Sequence, residues 1–195
     1  MIEIRPASEH DVVLAFLQAE IDSPKYESDY RNAMAQRGLS RALIDAPNLT
    51  DAQANNQRIS LLAAVRGFGC NAGLFQGFPV DVVWRLVTIE PADFPRLKYI
   101  GRDAGWRDIT GGTRLVVDGA RNLESNARIA GNFHDTRQAI EQGRCTAPLI
   151  LVEVSDGAMV IVEGHTRATA YALLGDRSFP AFVGTSPLMS RWWWV

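Results

Sequence analysis

The 195-residue sequence predicts an α/β (α+β) fold, a mixed sheet with a helical N-terminal subdomain, on three observations. Apolar residues recur at helical spacing through residues 6–67. At Val80 the texture changes to a β-branched and aromatic run, Val80-Asp81-Val82-Val83-Trp84-Arg85-Leu86-Val87. Further on, two apolar runs flank Ser155-Asp156-Gly157, and a short helix and a last strand follow. We therefore divide the chain into a helical subdomain over 1–79 and an α/β domain over 80–195.

Each element has its own signal. Ser8, with Asp11 three residues on, caps a helix over Glu9–Ala19 in which Val12, Val13, Phe16 and Leu17 share a face. Pro24 breaks the chain, a second helix covers Ser28–Arg37 and ends at Gly38, and Leu39–Ala46 is a short third closed by Pro47. Thr50 is the expected cap of a helix over Thr50–Val65, with Gln53 at its third position. Gly67, Gly69, Gly73 and Gly77 punctuate a loop. After the Val80–Val87 strand, Thr113–Val117 is a second strand candidate and Glu124–Ala130 a helix start or structured loop. Asp135–Gln142 is helical, with Gly143 in the place expected after a helix end. Leu149–Val154 and Ala158–Val162 form a hairpin, Thr166–Leu174 a helix stopped by Gly175, and Phe179–Gly184 the last strand.

Composition narrows the classes. No apolar run reaches the ~18 residues needed to span a bilayer, and the opening Met1-Ile2-Glu3-Ile4-Arg5-Pro6 lacks the layout of a signal peptide. Two cysteines, Cys70 and Cys145, supply no CxxC metal cluster and favour a reducing cytoplasm over a structural disulfide. A net charge of −2 excludes a basic coat for nucleic acid, so any contact with DNA must use a local patch. Of the 20 basic residues only Lys25 and Lys98 are lysines. Arginine suits bidentate phosphate recognition, although codon bias explains such an excess equally simply.

The chemistry concentrates in Val162-Glu163-Gly164-His165-Thr166-Arg167-Ala168, which reads as strand, tight turn and helix. Gly164 bends the backbone off the strand. His165 and Thr166 then stand at a helix start, where unpaired N–H groups and the helix dipole favour an anion. Arg167 in the first turn can fork onto a phosphate, and Thr166 adds a hydroxyl. Glu163 supplies the carboxylate that a phosphate-bound Mg²⁺, or a general base, would require. Gly164, His165, Thr166 and Arg167 are thus the candidate phosphate ligands, Glu163 and His165 the candidate catalytic groups, and Glu163 the candidate metal ligand. An ordinary turn followed by a solvent-facing His and Arg would have the same spelling.

In order, the segment from about His134 to Ser186 resembles the ParB/sulfiredoxin superfamily, the ParB-like nuclease domain. That family runs a short helix, a Gly, a Pro-led apolar strand, a hairpin return, a Gly-centred signature ending in Arg-Ala, a helix and a Pro-led strand. The chain offers Thr136–Gln142, Gly143, Pro148–Val154, Met159–Val162, Gly164–Ala168, Thr169–Leu174 and Phe179–Val183. Among the family's signatures, Glu163-Gly164-His165-Thr166-Arg167 is nearest the Asp-Gly-His-His-Arg form of its free-serine kinases. The resemblance implies a sulfiredoxin-like fold and a site for ATP or another nucleotide, with Asn126 and Arg128 where ParB proteins place a nucleotide-contacting Gln-x-Arg pair. It also implies nucleotide-phosphohydrolase or DNase activity with Mg²⁺, as in small stand-alone members that act in plasmid fertility inhibition (oncogenic suppression). His165 occupies the position of the sulfiredoxin cysteine, so sulfinic-acid reduction is not expected. Arg167 is the lone signature arginine, and no ParB-type helix-turn-helix follows within these residues.

Two segments suggest partners. The tail Arg191-Trp192-Trp193-Trp194-Val195 reads as a terminal strand. Alternation would put Trp192 and Trp194 inward and Trp193 on the opposite face, as a protein-docking or base-stacking surface. The stretch Arg96–Arg107 mixes Lys98, Tyr99, Arg102 and Trp106 as a local DNA-binding patch would, diluted by Asp103 and flanked by Asp93 and Asp108. The rival functions are a small-molecule (free amino acid) kinase and a non-catalytic adaptor for nucleic acid or a partner protein.

Overall fold

The computed structural model describes residues 1–123, 127–144 and 147–195, with only the backbone at 127–132 and 134. It is an α/β fold around a six-stranded mixed sheet. The strands are β1 (Ile2–Ala7), β2 (Val83–Ile89), β3 (Leu97–Lys98), β4 (Leu149–Glu153), β5 (Met159–Glu163) and β6 (Phe179–Thr185). They lie in the order β1-β2-β6-β4-β5-β3. β4 and β5 are the expected antiparallel hairpin. β6 pairs parallel with β4 and antiparallel with β2, which makes the sheet mixed. The helices are α1 (Glu9–Glu20), α2 (Glu27–Gln36), α3 (Ala42–Asp45), α4 (Ala52–Arg66), α5 (Ala104–Ile109), α6 (Val116–Arg121), α7 (Ala127–Glu141) and α8 (His165–Leu174).

Alternation along the central strands sorts the core into two layers. Ile150, Val152, Val160, Val162 and Phe182 face one side and pack with Phe16, Leu17, Tyr30, Leu61 and Leu62 of α1, α2 and α4. Leu149, Leu151, Met159, Ile161, Ala181 and Val183 face the other, with Val116, Phe133, Ile140, Ala168 and Ala170 of α6, α7 and α8. Burial on both faces is why these strands read as unbroken apolar runs rather than alternating ones. The helices of residues 1–79 are thus one of two layers on a shared sheet, and residues 2–7 supply its first strand.

Local signals explain the element ends. Ser8 and Asp11 form a reciprocal capping box: Ser8 Oγ accepts from the Asp11 N–H at 3.2 Å, and the Asp11 carboxylate accepts from the Ser8 N–H at 2.8 Å. The cap of α4 is Asp51 rather than the expected Thr50; its carboxylate accepts from the Gln53 and Ala54 N–H groups. A carboxylate one residue nearer the helix reaches both donors, whereas Thr50 hydrogen-bonds back to Asn48.

Three other expectations are corrected. Thr113–Val117 is not a strand: Leu115 makes an isolated bridge to Lys98, and Val116 then opens α6. Its apolar run packs a short helix against β3 and α8, a pattern that period alone does not separate from a strand. The strand expected from Val80 starts at Val83, and Val80 itself is exposed. The tail is not a strand. A 3₁₀ turn over Met189–Arg191 leads into an irregular strap across the loop that carries Gly73 and Gly77. The Trp192 indole donates to the Leu74 carbonyl at 2.7 Å, the Trp193 N–H to the Gln76 carbonyl at 2.9 Å, and the Gly101 N–H to the Trp194 carbonyl at 2.7 Å. Gly77 is required there, because a Cβ would lie 2.2 Å from the Arg191 carbonyl oxygen. Trp192 is 2% exposed and Trp193 44%, as the expected split has it, but Trp194 is only half-buried, because the cause is the strap and not a pleat.

Candidate functional site

β5 delivers Glu163 to its C-terminal end, and the chain turns there into α8. Gly164 makes the turn at φ +97°, where a Cβ would stand 2.8 Å from Leu149 Cγ. Its carbonyl accepts the first intrahelical bond, from the Ala168 N–H at 2.8 Å. The N–H groups of the first turn, those of His165, Thr166 and Arg167, have no acceptor within the helix, as at any α-helix start. This turn forms the floor of a cleft of about 270 Å³.

The other walls come from distant parts of the chain. α1 contributes Glu20, the connection to α2 contributes Ser23, Lys25 and Tyr26, α4 ends in Arg66, and α5 brings Asp103 and Trp106. The five-residue signature and the helical layer therefore meet at one place. Thr166 lines the cleft beside Gly164.

Arg167 has several partners. Its guanidinium donates to the Glu163 carboxylate and, at 2.5 Å, to the Ala147 carbonyl. The side chains of Arg167 and Glu163 are only 11% and 14% exposed. The expected phosphate fork is thus folded back on the expected metal ligand, and the pair ties the start of α8 to the segment entering β4.

His165 lines the cleft among aromatic rings. Its ring stacks on Trp106, with centroids 5.4 Å apart, and lies parallel to Tyr99 at 6.1 Å. Nε2 is buried with no hydrogen-bond partner among the described residues. Burial pushes the imidazole down to about 3, a shift that Asp103 opposes and Arg66 and Lys25 reinforce. It is therefore neutral at physiological pH and brings no positive charge to a phosphate. Thr169 Oγ1 donates to the His165 carbonyl at 2.8 Å and lies 2.6 Å from Tyr99 Oη, which fixes the helix start against β3 and the segment beyond it.

Glu20 and Arg66 are functional candidates that sequence reasoning missed. Glu20 is buried, accepts a hydrogen bond from Tyr30 Oη at 2.9 Å, and lies 3.3 Å from Arg66 Nε. Arg66 stacks its guanidinium over the Tyr26 ring at 4.2 Å. Burial pushes the Glu20 carboxyl up to about 7, against the pull of Arg66 and Tyr30. A signal existed in the spelling, since Glu20 follows Phe16 and Leu17 on an apolar helix, but nothing local joined it to Arg66.

The remaining expectations are distributed elsewhere. Asn126 and the Arg128 side chain lie outside the described residues, as does Cys145. The residues of the basic stretch 96–107 have separate partners. Arg96 pairs with Glu153 and Lys98 with Asp156, Arg102 lies over the Trp193 ring at 3.5 Å, and Trp106 enters the cleft. Among the described residues no group of three His, Cys, Asp or Glu side chains is placed to hold a metal ion. Among the described residues, Glu163 is paired with Arg167 and no such group stands around it to complete a donor set for Mg²⁺. No helix among the described residues is long and apolar enough to cross a membrane.

Compared with known proteins, the chain matches no family model, no curated protein and no solved structure.

Proposed function

We propose that the cleft at the start of α8 binds the phosphates of a nucleotide, and that the chain is a ParB/sulfiredoxin-type phosphohydrolase or nuclease. One observation carries this reading: the glycine turn sets the N-terminus of a ten-residue helix at the floor of a cleft whose walls hold Lys25 and Arg66. Helix N–H groups and two cations from separate elements are a phosphate-binding combination. Tyr26 and Trp106 add aromatic walls against which a base could stack.

A second reading, a nucleotide-binding module without catalysis, draws on a different observation. Glu163 is ion-paired and His165 is stacked and neutral, so neither expected catalytic group is presented as a free base. Titrating ATP into the purified chain by calorimetry, followed by turnover with and without added Mg²⁺ and DNA, tests both. The phosphate reading expects ATP binding that weakens at least about threefold in Lys25→Ala, from the loss of one charge-assisted contact. Phosphate release to water marks a hydrolase, transfer to a free amino acid marks a kinase, and binding without turnover marks the module. No binding of ATP or of inorganic pyrophosphate overturns the site.

A further inference from the structure

We propose that phosphate binding in this cleft is coupled to proton uptake at Glu20, so that the cleft takes its anionic ligand together with a proton. The inference rests on the phosphate reading of the same cleft.

The charges that line the cleft nearly cancel. Arg167 and Glu163 neutralise each other. Among the described residues, the other charged side chains of the lining are Lys25 and Arg66 against Glu20 and Asp103. The state of Glu20 therefore sets the sign of the space. With Glu20 ionised the lining is balanced and an entering phosphate meets a buried carboxylate. With Glu20 protonated the lining is net positive.

Geometry makes Arg66 the shared element. Its Nε is buried 3.3 Å from Glu20 Oε2 yet makes no hydrogen bond among the described residues, while its guanidinium is held in place on Tyr26. A phosphate that reaches Arg66 competes with Glu20 for the same cation. Glu20 is 6% exposed, so no water shell screens it from a second anion. Tyr30 can serve both states, because its hydroxyl donates to the carboxylate and can accept from the carboxylic acid. The groups that face Glu20 are Tyr30 from α2, Arg66 from α4, Lys25 from the connection after α1, and Glu163 from β5. Lys25 and Arg66 favour the ionised form and Glu163 opposes it; burial outweighs them and pushes the carboxyl up to about 7. A modest further rise on ligand binding therefore moves a proton near neutral pH.

Calorimetric titration of ATP into the full chain, with EDTA present and at about pH 8, tests this. Phosphate second protons are already lost at that pH, since they titrate near ~6, so uptake reports on the protein. Running the titration in two buffers of different ionisation heat counts the protons. The wild-type chain is expected to take up roughly half a proton or more per ATP, Glu20→Gln none, and Tyr30→Phe to retain uptake. Glu20→Gln, which holds the neutral state permanently, is expected to bind ATP at least about threefold more tightly than wild type at this pH. ATP binding without uptake by the wild type, or uptake that persists in Glu20→Gln, overturns the coupling and leaves the phosphate reading standing. No ATP binding by either protein, at about pH 6 or about pH 8, overturns the phosphate reading and the coupling with it.

Discussion

Arg167 closes back on Glu163 across the Gly164 turn and holds the Ala147 carbonyl with the same guanidinium. The two residues bracket the signature, so one contact braces the loop that forms the floor of the cleft. It also means that each is tied up by the other.

Arg167→Ala therefore acts on stability as well as binding. It leaves Glu163 largely buried without its cation and frees the Ala147 carbonyl. Breaking such a pair costs about 3 kcal/mol. We expect a lower urea midpoint, with ATP affinity reduced in whatever fraction remains folded. An unchanged midpoint would show that the pair contributes nothing to the turn.

Glu163→Gln separates the two roles of the carboxylate. The amide still accepts from Arg167, so the fold and ATP binding should persist. If Glu163 takes part in hydrolysis, single-turnover rates at saturating ATP fall at least about tenfold, the range for a lost acid–base or orienting group. Wild-type rates in this variant would leave Glu163 as a brace only.

The tryptophan strap makes a graded prediction. Trp192→Ala removes a buried indole and its bond to Leu74, at a cost of about 3–5 kcal/mol. Trp193→Ala removes a half-exposed ring that Arg102 covers, and should cost under about 1 kcal/mol. Trp194, whose indole donates to the Gly73 carbonyl at 3.1 Å, should fall between them. Equal urea midpoints for the three variants would mean that the strap is not docked.

Two buried titrations give opposite pH slopes. His165 is held at about 3 in the fold against 6.5 when free, so its contribution to stability is full above about pH 6.5 and is lost as pH falls toward 3. Glu20 is held at about 7 against 4.5, so its contribution is full below about pH 4.5 and is lost as pH rises through 7. Urea midpoints across this range should show His165→Gln less sensitive to acid than wild type. Glu20→Gln should gain on wild type from about pH 4.5 to 7. Parallel curves for wild type and either variant would contradict the assigned direction.

The parts of the fold that were legible from sequence are those whose signal is local. Ser155-Asp156-Gly157 between two apolar runs specified the β4–β5 hairpin, and the Ser8–Asp11 pair specified the start of α1. β1 was missed because Ile2-Glu3-Ile4-Arg5 is a short edge segment whose two isoleucines remain exposed, so no core pattern marks it. Val116 and Val117 suggested a strand because the three-residue apolar run Leu115-Val116-Val117 fits either period. The floor of the site was legible for a similar reason: glycine, polar pair and arginine are contiguous. Its walls were not. Glu20, Arg66 and Asp103 converge only after the helical layer has docked on the sheet, and no spacing in the chain encodes that approach.

The position of β6 has a consequence for how the molecule is made. It joins β2 on one side to β4 on the other, through Leu86–Phe182 and Ile150–Phe182 among other pairs, yet it follows every other strand in the chain. Until residues 179–185 emerge, a nascent chain can hold only two half-sheets, β1-β2 and β4-β5-β3, each with an open inner edge. Joining them requires contacts about a hundred residues apart, the kind that folds slowly and exposes sticky intermediates. Synthesis of this protein thus passes through a stage at which β2 and β4 offer unpaired edges to each other, to neighbouring chains and to chaperones, and the last strand to arrive ends it.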